Sequence, residues 1–254
     1  MTAAGFRIVI PARHDSTRLP GKPLIEVAGR PLVEHVWRCA CAAGADEVLI
    51  ATDDARIAEV TEGFGARTCL TRSDHASGTD RLAEVAANAE WDDDAIVVNL
   101  QGDEPLTPPA VLAQVAANLA AHPAASMATL ATPFTATEDV ADPNLVKVVT
   151  DHGGYALYFS RSPIPFDRDG RGHGATDDPP PYWRHIGIYA YRCGFLRRYA
   201  ELPVPDLERH EALEQLRALW HGHRIHVADA VALPAAGVDT AADIDRVARL
   251  LAAD

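Results

Sequence analysis

Four short, nearly unbroken aliphatic runs, spaced by segments of helical periodicity, leave this chain few folds to choose from. Phe6–Pro11, Glu47–Thr52, Ala66–Leu70 and Ala95–Leu100 read as buried strands, the first stopped by Pro11. Between them, Pro31–Ala43 ends at Gly44 and Asp54–Glu62 is closed by Gly63, while Ser77–Glu90 opens with a capping box from Ser77 to Asp80. Strands that are apolar on both faces need cover on both. The alternation therefore predicts an α/β fold: a mostly parallel, mixed sheet flanked by helices. Ligands on such sheets bind beyond the C-terminal strand ends, so the loops after the strands are where chemistry belongs.

The second half changes character after about Ala131. Leu145–Thr150, Gly154–Arg161 and His185–Arg192 read as longer strands with aromatic alternation. Asp206–Trp220 reads as one helix, Ile225–Ala228 as a strand and Ala241–Ala252 as a closing helix. Residues 163–183 form a long loop, with Pro163, Pro165, Pro179, Pro180 and Pro181 beside Gly170, Gly172 and Gly174; loops of this length are often lids or binding loops. No linker divides the chain. The expectation is one domain over residues 1–254, its second half completing the same sheet.

Charge narrows the partners. Lys and Arg number 23 against 36 Asp and Glu, a net charge of −13. A chain this acidic lacks the basic face of a nucleic-acid binder and is repelled by anionic lipid. A phosphorylated small molecule stays possible, because a local site can oppose the global sign. No apolar run is long enough to be a signal segment or a membrane span. Cys39, Cys41, Cys69 and Cys193 lack metal or redox spacing and read as reduced thiols, which points to the cytoplasm. Only two basic residues are lysines, Lys22 and Lys147. Where Arg serves nearly everywhere else, a retained Lys hints at a need for a compact ammonium.

The loop from Pro11 to Leu24 (PARHDSTRLPGKPL) follows the first strand directly and offers backbone N–H groups, the Ser16–Thr17 hydroxyl pair and the cations Arg13, Arg18 and Lys22. That set suits a triphosphate, whose charge must be neutralised and whose leaving pyrophosphate must be stabilised. It is not a Walker loop, since Pro23 follows Gly21-Lys22. Gln101-Gly102-Asp103-Glu104-Pro105 sits just past a buried strand, where a Mg2+ ligand belongs, and Asp239, in the turn Gly237-Val238-Asp239-Thr240, is the natural second carboxylate. Each Asp could equally do no more than stabilise its own turn. Ser77-Gly78 could cap a helix and also present backbone to a pyrimidine edge. Glu211 and Glu214, three apart on the expected helix, would share a face.

Seven segments in register carry a resemblance. They are Pro11–Leu24; Thr71–Arg81 (TRSDHASGTDR); Asn99–Pro105; Tyr155–Arg161; Arg184–Tyr189; and Leu213–Arg217, followed by Gly237–Thr240. In order and spacing the chain resembles the 3-deoxy-manno-octulosonate cytidylyltransferases over roughly residues 6–250. These are sugar nucleotidyltransferases with a GT-A/Rossmann-like, nucleotide-diphospho-sugar transferase core. The resemblance implies transfer of CMP from CTP to 3-deoxy-manno-octulosonate (KDO) with release of pyrophosphate, which activates the sugar for lipopolysaccharide biosynthesis. The alternative is another acidic sugar, either an amino-substituted KDO or a sialic acid. It implies Arg13, Lys22, Asp103 and Asp239 as catalytic, and Mg2+ held by Asp103 and Asp239. Ala12, Arg13, Ser16, Thr17, Lys22, Arg72, Ser77, Gly78 and Gln101 would bind the nucleotide. Gln101, Arg161, His185, Tyr189, Glu214 and Gln215 would bind the sugar. The resemblance also implies a nucleotide-binding half at 1–130 and a sugar-binding and dimerisation half at 131–254, and a homodimer in the cytoplasm is the family's usual state.

Overall fold

The computed structural model describes residues 5–14, 19–135, 139–168 and 182–252. In chain order the strands and helices are β1 (Phe6–Ala12), β2 (Glu26–Val27), β3 (Arg30–Pro31), α1 (Leu32–Cys41), β4 (Glu47–Thr52), α2 (Ala55–Gly63), β5 (Arg67–Leu70), α3 (Gly78–Asn88), β6 (Ile96–Asn99), α4 (Pro109–Ala121), β7 (Met127–Pro133), β8 (Lys147–Thr150), β9 (Ala156–Ser160), β10 (Trp183–Arg192), α5 (Cys193–Tyr199), α6 (Asp206–Glu211), α7 (Gln215–Trp220), β11 (Ile225–Asp229) and α8 (Ala241–Leu251). A single 3-10 turn, Lys22–Leu24, precedes β2. The first strand does not stop at Pro11; Pro11 and Ala12 pair in parallel with Ala51 and Thr52 of β4.

The main sheet runs β11-β7-β10-β6-β1-β4-β5, with β8 and β9 joined at β10. Strands β6, β1, β4 and β5 are parallel, as their apolar runs require. Along β1, Ile8 and Ile10 pack into one cluster with α1 and α4 residues such as Val33 and Leu112. Val9 between them packs with Leu82 of α3 and Phe195 of α5. Both faces are thereby covered. Strand β10 inserts between β6 and β7, antiparallel to both. Its register against β7 slips between Ile186 and Tyr189, and the Thr129 hydroxyl fills the gap by donating to the Ile186 and Ile188 carbonyls, at 3.0 and 2.8 Å.

One expectation is overturned. Asp206–Trp220 is not one helix but α6 and α7, broken where Ala212 takes a left-handed φ of 50°. The cause lies outside the segment. The Arg161 guanidinium donates to the Glu211 carbonyl at 2.6 Å and to the Ala212 carbonyl at 3.3 Å, groups that a continuous helix would pair internally. The Glu211 carboxylate meanwhile accepts from the Ser160 hydroxyl and the Arg161 backbone N–H, at 2.7 and 2.9 Å. Glu211 and Glu214 therefore do not share a face. Two elements carried no expectation: strand β7, buried along most of its length without alternation, and helix α4, whose stripe Val111, Leu112, Val115, Ala116 and Leu119 has helical spacing. Among the described residues no helix is long and apolar enough to cross a membrane, and the four cysteines are free. Most of loop 163–183 lies outside the described residues, as do Ser16 and Thr17.

Candidate active site

Three backbone segments meet at the C-terminal ends of β1 and β6, and two glycines let them meet. A Cβ on Gly102 would stand 2.6 Å from the Pro11 carbonyl oxygen, and one on Gly237 would stand 2.9 Å from that of Asp103. Only glycine allows that approach. The Val238 N–H then donates to the Asp103 carbonyl at 2.8 Å, locking the 101–105 loop to the 237–240 turn. Downstream, Thr240 and Asp243 form a capping box on α8, which fixes the far side of that turn. Asp103 and Asp239 are thus brought together from 136 positions apart by local backbone fit.

These segments wall a cavity of about 300 Å3, lined by Ala12, Arg13, Lys22, Ser77, Gly78, Gln101, Asp103, Glu214 and Asp239, among others. Ser77 caps α3, its hydroxyl accepting from the Asp80 N–H at 3.1 Å, so the backbone around Gly78 is fixed facing the opening. The Lys22 ammonium donates to Asp103 Oδ2 at 2.7 Å, to the Val238 carbonyl at 2.9 Å and to Asp239 Oδ1 at 3.3 Å. The two carboxylates therefore aim at one point. Hard oxygen donors in this number suit Mg2+, which takes one or two carboxylates and fills its shell with phosphate oxygens and water.

A second cavity of about 250 Å3 adjoins the first, and Gln101 and Glu214 line both. Asn99, His185, Gly187, Tyr189, Tyr191 and Gln215 complete much of its wall. Gly187, within the β10 bulge, opens onto it, since a Cβ there would meet no atom within 4 Å. Its polar lining is incomplete: Asn99 Oδ1, the Tyr189 hydroxyl and Gln215 Nε2 are shut from solvent with no hydrogen-bond partner among the described residues. Unpaired buried polar atoms are costly, and three residues of this one wall carry them. Glu214 is open to the cavities but deep in the protein, and burial raises its carboxyl pKa against hydrogen bonds from Thr79 and Ser77 that lower it.

His185 hydrogen-bonds the Thr129 hydroxyl at 3.0 Å, and burial pushes its pKa down to about 3. It offers a neutral ring, suited to a hydroxyl rather than to a carboxylate. Away from the site, burial also lowers His226, stacked 3.5 Å from His122, to about 4. In the unfolded chain such rings protonate near 6.5. The native state binds fewer protons, so this contribution to stability is full above about pH 6.5 and is lost as pH falls toward 4 and then 3. Denaturant titrations across that range should show stability falling with acid, and His226→Gln should remove about one proton from the slope.

The remaining sequence candidates sit elsewhere. Arg72 lines neither cavity; its exposed guanidinium grips Asp74 at 2.8 and 2.9 Å. Arg161 lines neither cavity and is committed to the Glu211, Ala212 and Pro143 carbonyls. Several wall residues carried no expectation, His75, Arg81, Asn99 and Tyr191 among them. His75 is held by Glu84, and Arg81 pairs with Asp53 at 3.0 Å. Asn99 and Tyr191 flank the second cavity. His75 and Arg81 lie inside the Thr71–Arg81 segment, whose density of polar residues ahead of a helix was the available signal.

Comparison with known proteins agrees with this geometry. A family model described as cytidylyltransferase matches residues 7–225. Several relatives carry the name 3-deoxy-manno-octulosonate cytidylyltransferase. The one from Pseudomonas syringae pv. syringae is 58% identical over 99% of both chains. The one from Idiomarina loihiensis is 55% identical over 98% of this chain and 99% of its own. A solved structure of CMP:2-keto-3-deoxy-manno-octonic acid synthetase complexed with CTP superposes with a TM-score of 0.88 at 43% identity, covering 98% of this chain and 99% of that one. A 4-diphosphocytidyl-2C-methyl-D-erythritol synthase shares the fold at a TM-score of 0.62 and 15% identity.

Proposed function

The chain belongs to the cytidylyltransferase family, and from that premise we propose that it transfers CMP from CTP to KDO, releasing pyrophosphate and activating the sugar for lipopolysaccharide biosynthesis. The observation that carries the reading is the paired cavity. One chamber presents cations and fixed backbone at strand ends; the other is lined by polar side chains, Asn99, His185, Tyr189, Tyr191 and Gln215 among them; Gln101 and Glu214 stand between the two. A nucleotide in the first and a polyhydroxylated sugar acid in the second would meet at that shared wall. The chain then divides functionally as well: residues 1–130 supply most of the nucleotide chamber and 131–254 most of the sugar chamber.

The reaction forms a bond from the sugar's anomeric oxygen to the α-phosphorus and breaks the bond to the pyrophosphate oxygen. Ser77 and Gly78 present backbone to the base, and Ala12 and Arg13 lie along the phosphates. Arg13 and Lys22 offset the charge that builds on the leaving pyrophosphate. Asn99, Tyr189, Gln215 and neutral His185 hold sugar hydroxyls, and Glu214 accepts from a hydroxyl near the shared wall. Asp103 and Asp239 would hold Mg2+, which when bound supplies Lewis-acid charge neutralisation and acidifies the attacking hydroxyl. The protein's share is mainly positioning, as in phosphoryl transfer generally. The reading carries with it the family's homodimer and a cytoplasmic setting, which four free thiols suit.

Pyrophosphate release tests it. With CTP and Mg2+, KDO should support turnover above an amino-substituted KDO and a sialic acid; release with one of these and not with KDO overturns the sugar assignment. Tyr189→Phe deletes one unpaired hydroxyl and should raise the KM for the sugar about tenfold while leaving that for CTP unchanged, since a lost hydrogen bond costs about 1–2 kcal/mol. Initial rates with each substrate varied in turn check this.

A further inference from the structure

We infer that Lys22 is the resident counter-cation of the Asp103–Asp239 pair, and that it holds a divalent ion off these carboxylates until a nucleoside triphosphate draws its ammonium away. This rests on the nucleotide reading above and adds an order of loading to it. An ammonium has three donors, and all three are placed: Asp103 Oδ2 at 2.7 Å, the Val238 carbonyl at 2.9 Å and Asp239 Oδ1 at 3.3 Å. The contact is partly shielded, with the Lys22 side chain 14% exposed and that of Asp103 33%.

The ammonium occupies the point on which both carboxylates converge. A divalent ion arriving alone meets a site whose two negative charges are already half neutralised. It must also share oxygens with a second cation, which repels it at contact distance. Neither obstacle survives a bound triphosphate, whose oxygens add negative charge and offer the ammonium other acceptors. The stem permits the move. Lys22 follows Gly21, held at a left-handed φ of 67°, and its backbone is fixed by Pro23 and a one-turn 3-10 helix, so only the four-carbon side chain has to swing. An arginine here would be harder to release, because its guanidinium forks onto carboxylates. A chain that uses arginine for all but two of its basic residues keeps lysine at this position.

The test is Mn2+ binding without nucleotide or sugar, read from the free-ion EPR signal, for the wild type, Lys22→Met and Lys22→Met/Asp103→Ala. If Lys22 occupies the carboxylates in all but about a tenth of molecules, the wild type binds Mn2+ about tenfold more weakly than Lys22→Met. The double variant should lose the gain. In parallel, Mg2+ alone should raise the melting temperature of Lys22→Met and leave that of the wild type unmoved; Lys22→Gln serves if the Met variant melts early. Equal Mn2+ affinity in wild type and Lys22→Met, or a gain that survives Asp103→Ala, overturns the inference. Calorimetric titration with CTP and Mg2+ separates the two readings. Absence of CTP binding alongside the Mn2+ gain overturns the nucleotide assignment and leaves the competition at the carboxylates standing.

Discussion

Replacing Asp103 with Ala is expected to lower turnover by about a thousandfold or more while leaving the fold intact, because electrostatic stabilisation at the reacting phosphate is usually the largest catalytic contribution. The side chain is a third exposed, and its carboxylate accepts from the Lys22 ammonium. What holds the loop is backbone: the Asp103 carbonyl accepts from the Val238 N–H, and Gly102 lies against Pro11. Truncating the carboxylate leaves those contacts in place, so the melting temperature should shift by no more than a few degrees. Asp239→Ala should behave alike, since its carboxylate points to the same spot from the 237–240 turn. Rates from pyrophosphate release, with melting curves on the same preparations, check both. Near-normal turnover in either variant removes that residue from the metal site.

The largest expected loss of stability lies outside both cavities, at Glu208. Its carboxylate grips the Arg217 guanidinium in a two-pronged pair at 2.8 and 2.7 Å, with both residues buried. The guanidinium also lies 4.5 Å over the Tyr199 ring and 3.8 Å from Asp80. Glu208→Ala strands a buried cation, which costs about 3–5 kcal/mol. For a chain of this size that lowers the melting temperature by about 10 °C. Removing both partners, in Glu208→Ala/Arg217→Met, should recover part of the loss, because the buried guanidinium goes with its carboxylate. Thermal melts of the single and double variants measure it; a single variant as stable as the wild type contradicts the account. The pair also ties the two chambers together. Asp80 stands in the first turn of α3, beside Ser77 and Gly78, while the Tyr199 hydroxyl donates to the Glu214 carbonyl at 3.2 Å.

What could be read from the sequence was what local backbone logic determines. A buried strand followed by a polar loop places Ala12, Arg13 and Lys22 at one sheet edge, and the same logic places Gln101 and Asp103 beside them. Glycines at 78, 102 and 237 signal close approach, and each lies where segments meet at the cavity. What could not be read depends on distant partners. Nothing near Ala212 foretells the break between α6 and α7, because the donor that causes it is Arg161, some 50 residues away. The same bond explains why Arg161 is absent from the sugar chamber, where a free cation would have suited a carboxylate. Strand β7 lies in the core, buried along most of its length with no alternation, so no period betrays it. Asn99 and Tyr191 reach the second cavity through the antiparallel insertion of β10 beside β6, a pairing that no local pattern encodes.

The central claim is that the paired cavities join a CTP α-phosphorus to a sugar acid, and 31P NMR of the reaction mixture tests it most directly. With CTP, Mg2+ and KDO present, the three CTP resonances should give way to one phosphodiester signal and an equimolar pyrophosphate signal, and omitting KDO should halt both. Free CMP without a phosphodiester, or inorganic phosphate as the first product, would contradict it.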